Sequence, residues 1–222
     1  MGSFITLTSP DGHAFKAWVA QPAATPRGAI IVIPEIFGVN SHIRAVTDAY
    51  AADGYLAIAP ALFDRVKPGF ESGYTQDDIQ AGIALMQKVD MKDAMTDVAT
   101  VVAHAKSAGK VGILGYCWGG TVAWVAAARV PGLACSSPYY GGGIPNFATE
   151  KPACPVMFHF GEQDTMPSPE AGRAILANNP GAIGHFYPAG HGFNCDQRGS
   201  FDAASASLAR QRTLEFMAKH LG

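Results

Sequence analysis

KVGILGYCWGGTVAWVAAA, residues 110–128, joins two kinds of local order in one line of sequence. The half that ends at Tyr116 is a continuous apolar run of strand length, and the alanine-rich half after it has helical composition. Between them the chain turns on Gly115, Cys117 and Gly119. Small residues two before and two after the cysteine suit a tight strand-to-helix turn, where a larger side chain would strike the neighbouring strand or helix. Such a turn sits beyond the carboxyl end of its strand, where ligands bind in open α/β sheets. The helix that starts there points N–H groups and the positive end of its dipole at the sulfur, which favours thiolate. The bland reading is a buried structural cysteine beside a glycine-rich turn. Placement and flanking glycines favour the nucleophile.

The rest of the chain extends this pattern in both directions. FITLT (4–8) and AFKAWVA (14–20) alternate around Pro10-Asp11-Gly12 and predict an antiparallel hairpin. GAIIVIPE (28–35) and YLAIAP (55–60) read as strands covered on both faces, separated by a helix from Ser41 to Asp53 that ends at Gly54. Helices at 75–88, capped by Thr75, and at 90–107 precede the strand at 110–116, and a helix at 117–129 follows it. Strands at 134–141, 156–161 and 184–188 then alternate with helices at 169–177 and 202–220. Alternation of this kind predicts one α/β domain over residues 1–222, a mostly parallel sheet of about eight strands with helices on both faces. The segment 61–74, ALFDRVKPGFESGY, is the longest expected loop before the final third and a candidate pocket wall.

Composition narrows the function. Of 222 residues, 48% are hydrophobic and 15% charged, which describes a globular chain with a large core. A net charge of −2, with both signs interspersed, leaves no footprint for nucleic acid or an anionic membrane. The opening residues have no basic-then-apolar leader, and no run reaches the roughly 18 apolar residues of a spanning helix, so a cytoplasmic protein is expected. Cys117, Cys135, Cys154 and Cys195 form no C-x-x-C pair, which predicts free thiols and no structural zinc site.

A nucleophile needs a base, and the base needs an orienting group. FHFGEQDTMPSP puts Asp164 just past one late strand, and YPAGHGF puts His191 after the last. The order nucleophile, acid, histidine is that of hydrolase sheets. Glu162 competes with Asp164 but lies nearer the strand end, and His159 and His185 fall within strands as packed or surface groups. His13, His42, His104 and His220 are assigned structural or solvated roles.

IVIPEIFGVN, GYLAIAPALF, GYCWGG, HFGEQDTMPSP, AGHGFN and RTLEFM, in collinear order along almost the whole chain, resemble the dienelactone hydrolase family of α/β-hydrolases. The resemblance implies a Cys117-His191-Asp164 triad acting on esters or lactones, with Glu35 beside the sulfur to gate its ionisation. It implies backbone N–H groups of Ile36 and Trp118 as oxyanion donors, and Phe37 and Tyr140 as pocket residues. There are departures. Where family members acting on dienelactone carry two carboxylate-binding arginines, this chain has Ile79 and Cys195, and the aromatic neighbours on the same helix become Ile83 and Met86. Arg198 is available to replace one arginine, and the pocket is expected to be more apolar.

The expected protein is therefore a monomeric hydrolase of small-molecule esters or lactones that needs no metal or other cofactor. The alternative is a thiol sensor or covalent ligand-binding protein, in which Cys117 reacts without turnover.

Overall fold

The structure, a computed structural model, describes residues 1–222. Strands β1 (Ser3–Thr8) and β2 (Ala14–Ala20) form the antiparallel hairpin, with Ser3 opposite Val19 and Thr8 opposite Ala14. Next come β3 (Ala29–Ile33), helix α1 (Ser41–Ala52), β4 (Leu56–Pro60), α2 (Gln76–Met86) and α3 (Met91–Ala105). The second half holds β5 (Val111–Tyr116), α4 (Trp118–Arg129), β6 (Leu133–Tyr139), β7 (Met157–Gly161), α5 (Pro169–Ala177), β8 (Ile183–Tyr187) and α6 (Ala203–Leu221). They build one eight-stranded sheet in the order β1-β2-β4-β3-β5-β6-β7-β8, parallel from β4 onward.

Every residue of β3, β4 and β5 is buried, as their unbroken apolar runs require. Alternation sorts these side chains between two cores. Ile31, Ile33 and Ile113 pack with Val98 and Val101 of α3 and Val122 and Trp124 of α4. Ile30, Val32 and Leu114 pack on the opposite face with Ile43 and Tyr50 of α1 and Phe216 and Met217 of α6. Each large side chain removed from water in this way contributes about 1.5–3 kcal/mol before entropy is counted.

Element ends differ from the sequence reading by one or two residues, the usual scale of fraying and capping. Thr75 does cap α2, and its side chain and that of Asp78 exchange bonds with each other's backbone N–H. The strand expected at 134–141 stops at Tyr139, because Tyr140 turns to φ 35°. Segment 61–74 is more ordered than its composition suggests. It opens with a 3-10 turn at Leu62–Arg65 and meets Gly38 through a bridge at Glu71. Buried Asp64 accepts the backbone N–H of Lys16 and of Gly69, each at 2.8 Å. Arg65 bonds both oxygens of fully buried Asp97 on α3, at 2.8 and 2.7 Å, while Ser9 Oγ donates to the same carboxylate at 2.6 Å.

Candidate active site

Register lines up the carboxyl ends of five neighbouring strands. Ile33 of β3 pairs Gly115 of β5, Tyr116 pairs Tyr139 of β6, Tyr139 pairs His159 of β7, and Gly161 pairs Tyr187 of β8. Glu35, Cys117, Tyr140, Asp164 and His191 all follow these ends, so the topology gathers side chains from remote parts of the sequence along one rim.

The turn after β5 shows why its glycines are needed. A Cβ on Gly115 would collide with the carbonyl oxygen of Gly119, and one on Gly119 would collide with those of Ile33 and Pro34. Cys117 is held at φ 55° and ψ −120°, a region that side-chain-bearing residues seldom occupy. Its N–H donates to Tyr139 O at 3.1 Å, and its carbonyl accepts from Gly120 N at 2.9 Å, which fixes both sides of the strained residue.

His191 Nδ1 stands 2.9 Å from Asp164 Oδ2. The Asp164 side chain is fully buried, and its other oxygen accepts the Met166 N–H at 2.8 Å. Cys117 lies near enough to the imidazole for its charge to act on it. Burial disfavours the imidazolium, but Cys117 and Asp164 together outweigh it and raise the His191 pKa to about 10. Tyr140, 1% exposed, packs edge-on against His191 with ring centroids 5.1 Å apart. It therefore walls the imidazole. The N–H groups of Ile36, in the loop after β3, and of Trp118, the first residue of α4, take no part in the turn and loop hydrogen bonds of the chain.

Helix α2 lies over the Ile36 loop, where Gly82 comes so close to Ile36 that a Cβ would strike its carbonyl. Ile79, Ile83 and Met86 on this helix are half-buried against the core that contains Ile36, Phe37 and Trp118. Phe37 is buried beneath Tyr74, at 4.6 Å between centroids, and beneath the guanidinium of Arg198, 5.6 Å from the ring centre.

Arg198 is already engaged. Its Nη1 donates to Glu35 Oε1 at 3.0 Å, while Glu35 Oε2 is buried with no hydrogen-bond partner. Two residues outside the expected site stand close by. The side chains of Glu35, His42 and Cys195 bring one potential ligand atom each to within 4.8 Å of one another, and all three are buried. From the sequence His42 reads as a structural or solvated histidine, and Cys195 only as the residue at the position of a missing arginine. Neither carries a local motif that would have marked it.

The sequence profile of the dienelactone hydrolase family matches residues 15–221. The chain belongs to the dienelactone hydrolase family. Relatives include the carboxymethylenebutenolidase of Pseudomonas putida, 35% identical over 228 residues, covering 96% of this chain and 95% of that protein. Carboxymethylenebutenolidase 1 of Cupriavidus pinatubonensis is 32% identical over 226 residues, with 96% and 95% covered. A solved structure from Klebsiella pneumoniae, provisionally named a dienelactone hydrolase, superposes with a TM-score of 0.86 at 29% identity, covering 99% of this chain and 98% of its own. As a member of this family the chain is an enzyme of ester or lactone hydrolysis with an α/β-hydrolase-like fold. No helix in it is long and apolar enough to cross a membrane.

Proposed function

We propose that the protein cleaves enol lactones or activated aryl esters through a covalent cysteine acyl-enzyme, with Cys117 as nucleophile, His191 as base and acid, and Asp164 as the group that orients His191. The observation that carries this reading is the 2.9 Å contact of His191 Nδ1 with buried Asp164, with Cys117 acting on the same imidazole. His191 takes the Cys117 thiol proton as Sγ attacks the carbonyl carbon, and the oxyanion that forms is met by the N–H groups of Ile36 and Trp118. The C–O bond to the leaving alcohol breaks as His191 supplies a proton, leaving a thioester. Water then loses a proton to His191, adds to the thioester, and expels the Cys117 sulfur. Glu35 assists ionisation of the thiol when substrate arrives.

The choice of substrate follows from leaving groups. A thiolate departs easily, since a thiol pKa is about 8.5. The tetrahedral intermediate returns to substrate unless the competing alcohol is also acidic. Enols and phenols meet that condition, and alkyl alcohols do not. Arg198 has one nitrogen committed to Glu35, and Ile79, Ile83 and Met86 present apolar surface, so a neutral substrate is favoured over a carboxylate.

Turnover of p-nitrophenyl acetate by the wild type, Cys117→Ala and Cys117→Ser tests the reading. Multiple turnovers that disappear in Cys117→Ala, and phenyl acetate cleaved much faster than ethyl acetate, are expected. Activity surviving in Cys117→Ala would identify another nucleophile, and a single stoichiometric burst would identify a covalent binder.

A further inference from the structure

We propose that Glu35, His42 and Cys195 form a binding site for a transition-metal ion of the zinc class, which shares Glu35 with the catalytic site but uses neither Cys117 nor His191. A Glu35 carboxylate oxygen, a His42 ring nitrogen and Cys195 Sγ supply oxygen, nitrogen and sulfur donors, and the three donor atoms lie within 4.8 Å of one another. Tetrahedral zinc, at about 2.0–2.3 Å from each ligand, needs only a modest contraction of such a set.

Two further observations point to a ligand. Glu35 Oε2 is a carboxylate oxygen in a residue 1% exposed, and it has no hydrogen-bond partner. A buried anionic oxygen left in this state costs free energy that a cation would recover. In addition, His42 Nδ1 is held by Asp196 Oδ1 at 2.9 Å. That contact leaves Nε2 as the nitrogen for a metal and provides the carboxylate that orients metal-bound histidines. His42 and Asp196 also border a cavity of about 440 Å³ between α1 and α6, with Tyr50 and Tyr116 on its wall.

The donors select the metal. A thiol and an imidazole are poor ligands for magnesium or calcium and good ones for zinc, cobalt(II) and nickel(II). On binding, the Cys195 thiol releases its proton to solvent and coordinates as thiolate. Glu35, Cys195 and Asp196 then balance Arg198 and a divalent ion, so the loaded cluster closes at zero net charge.

Cobalt(II) titration of the full-length Cys117→Ser protein, in which the nucleophile cannot supply a thiolate, tests the site by optical absorption. One equivalent is expected to produce sulfur-to-cobalt charge-transfer absorption, with d–d bands of tetrahedral intensity. Adding Cys195→Ser to this protein should abolish the charge-transfer band. Adding Asp196→Ala should weaken binding about 10–100-fold. The Asp196 side chain is 66% exposed, so that variant tests the site without disturbing the core, and it decides the matter if the Cys195 variant does not fold. A charge-transfer band absent from Cys117→Ser, or one that survives Cys195→Ser, would overturn the proposal, as would unchanged affinity in Asp196→Ala. None of these readouts depends on ester hydrolysis.

Discussion

Holding Cys117 at φ 55° and ψ −120° costs about 1–3 kcal/mol, and the surrounding bonds to Tyr139 and Gly120 keep it there. The strain belongs to any residue with a Cβ, so it outlives the sulfur. Cys117→Gly should therefore be more stable than Cys117→Ala by about 1 kcal/mol despite glycine's larger unfolded-state entropy, as urea midpoints would report. An alanine variant of equal or greater stability would mean that the turn carries no strain. His191 gives the second residue-scale expectation. Cys117 and Asp164 raise its pKa against the opposing effect of burial, so removing the aspartate charge in Asp164→Asn should lower that pKa. The same change frees the imidazole to adopt the wrong tautomer, and ester turnover should fall by about 10⁴-fold. Titration of the His191 ring by NMR, alongside kcat, checks both parts.

Among the elements, the segment between β4 and α2 depends most on polar anchoring. Asp97 of α3 ties Arg65 of the 3-10 turn and Ser9 of the hairpin turn to one fully buried carboxylate. Arg65 also reaches Asp11 at 2.8 Å, so the hairpin, the segment and α3 share a single ionic junction. Asp97→Ala leaves a largely buried guanidinium without its main partner and should destabilise the protein by about 3 kcal/mol. Denaturant unfolding measures this, and a loss below about 1 kcal/mol would show that Asp11 alone satisfies Arg65. The composition of residues 61–74 reads as a loop and a candidate pocket wall, with no sign of its anchoring. Its anchors include residues 11, 16 and 97, and no local pattern announces contacts at that separation.

For the whole molecule, the sheet is joined to α6 through a buried histidine. His159 Nδ1 meets Tyr187 Oη at 2.7 Å, its Nε2 meets Thr213 Oγ1 at 3.0 Å, and its ring stacks on Tyr139 at 4.1 Å. Burial, with His185 and Arg212 nearby, holds its pKa well below the usual imidazole range. Above pH 6.5 it is neutral whether the chain is folded or unfolded. Below that, the unfolded chain binds a proton that the native state refuses, so stability falls with pH by up to about 1.4 kcal/mol per unit. Unfolding free energies at pH 7.5 and 5.0 should differ more in the wild type than in His159→Gln. Equal slopes would place the acid sensitivity elsewhere.

Short-range sterics and burial were enough to read the strand at 110–116, the turn at Cys117 and the alternating elements around it. Gly115 and Gly119 are demanded by backbone contacts of the turn itself and of β3 beside it, and β3, β4 and β5 read as unbroken apolar runs because both of their faces are covered. Chain order likewise made Cys117, Asp164 and His191 legible as candidates, since each follows a strand end. The tertiary structure alone decided which polar groups meet. The Glu35–Arg198 pair, the His159 network and the convergence of Glu35, His42 and Cys195 depend on strand order and side-chain direction. Those are set by packing between segments distant in sequence, where periodicity and spacing carry no information.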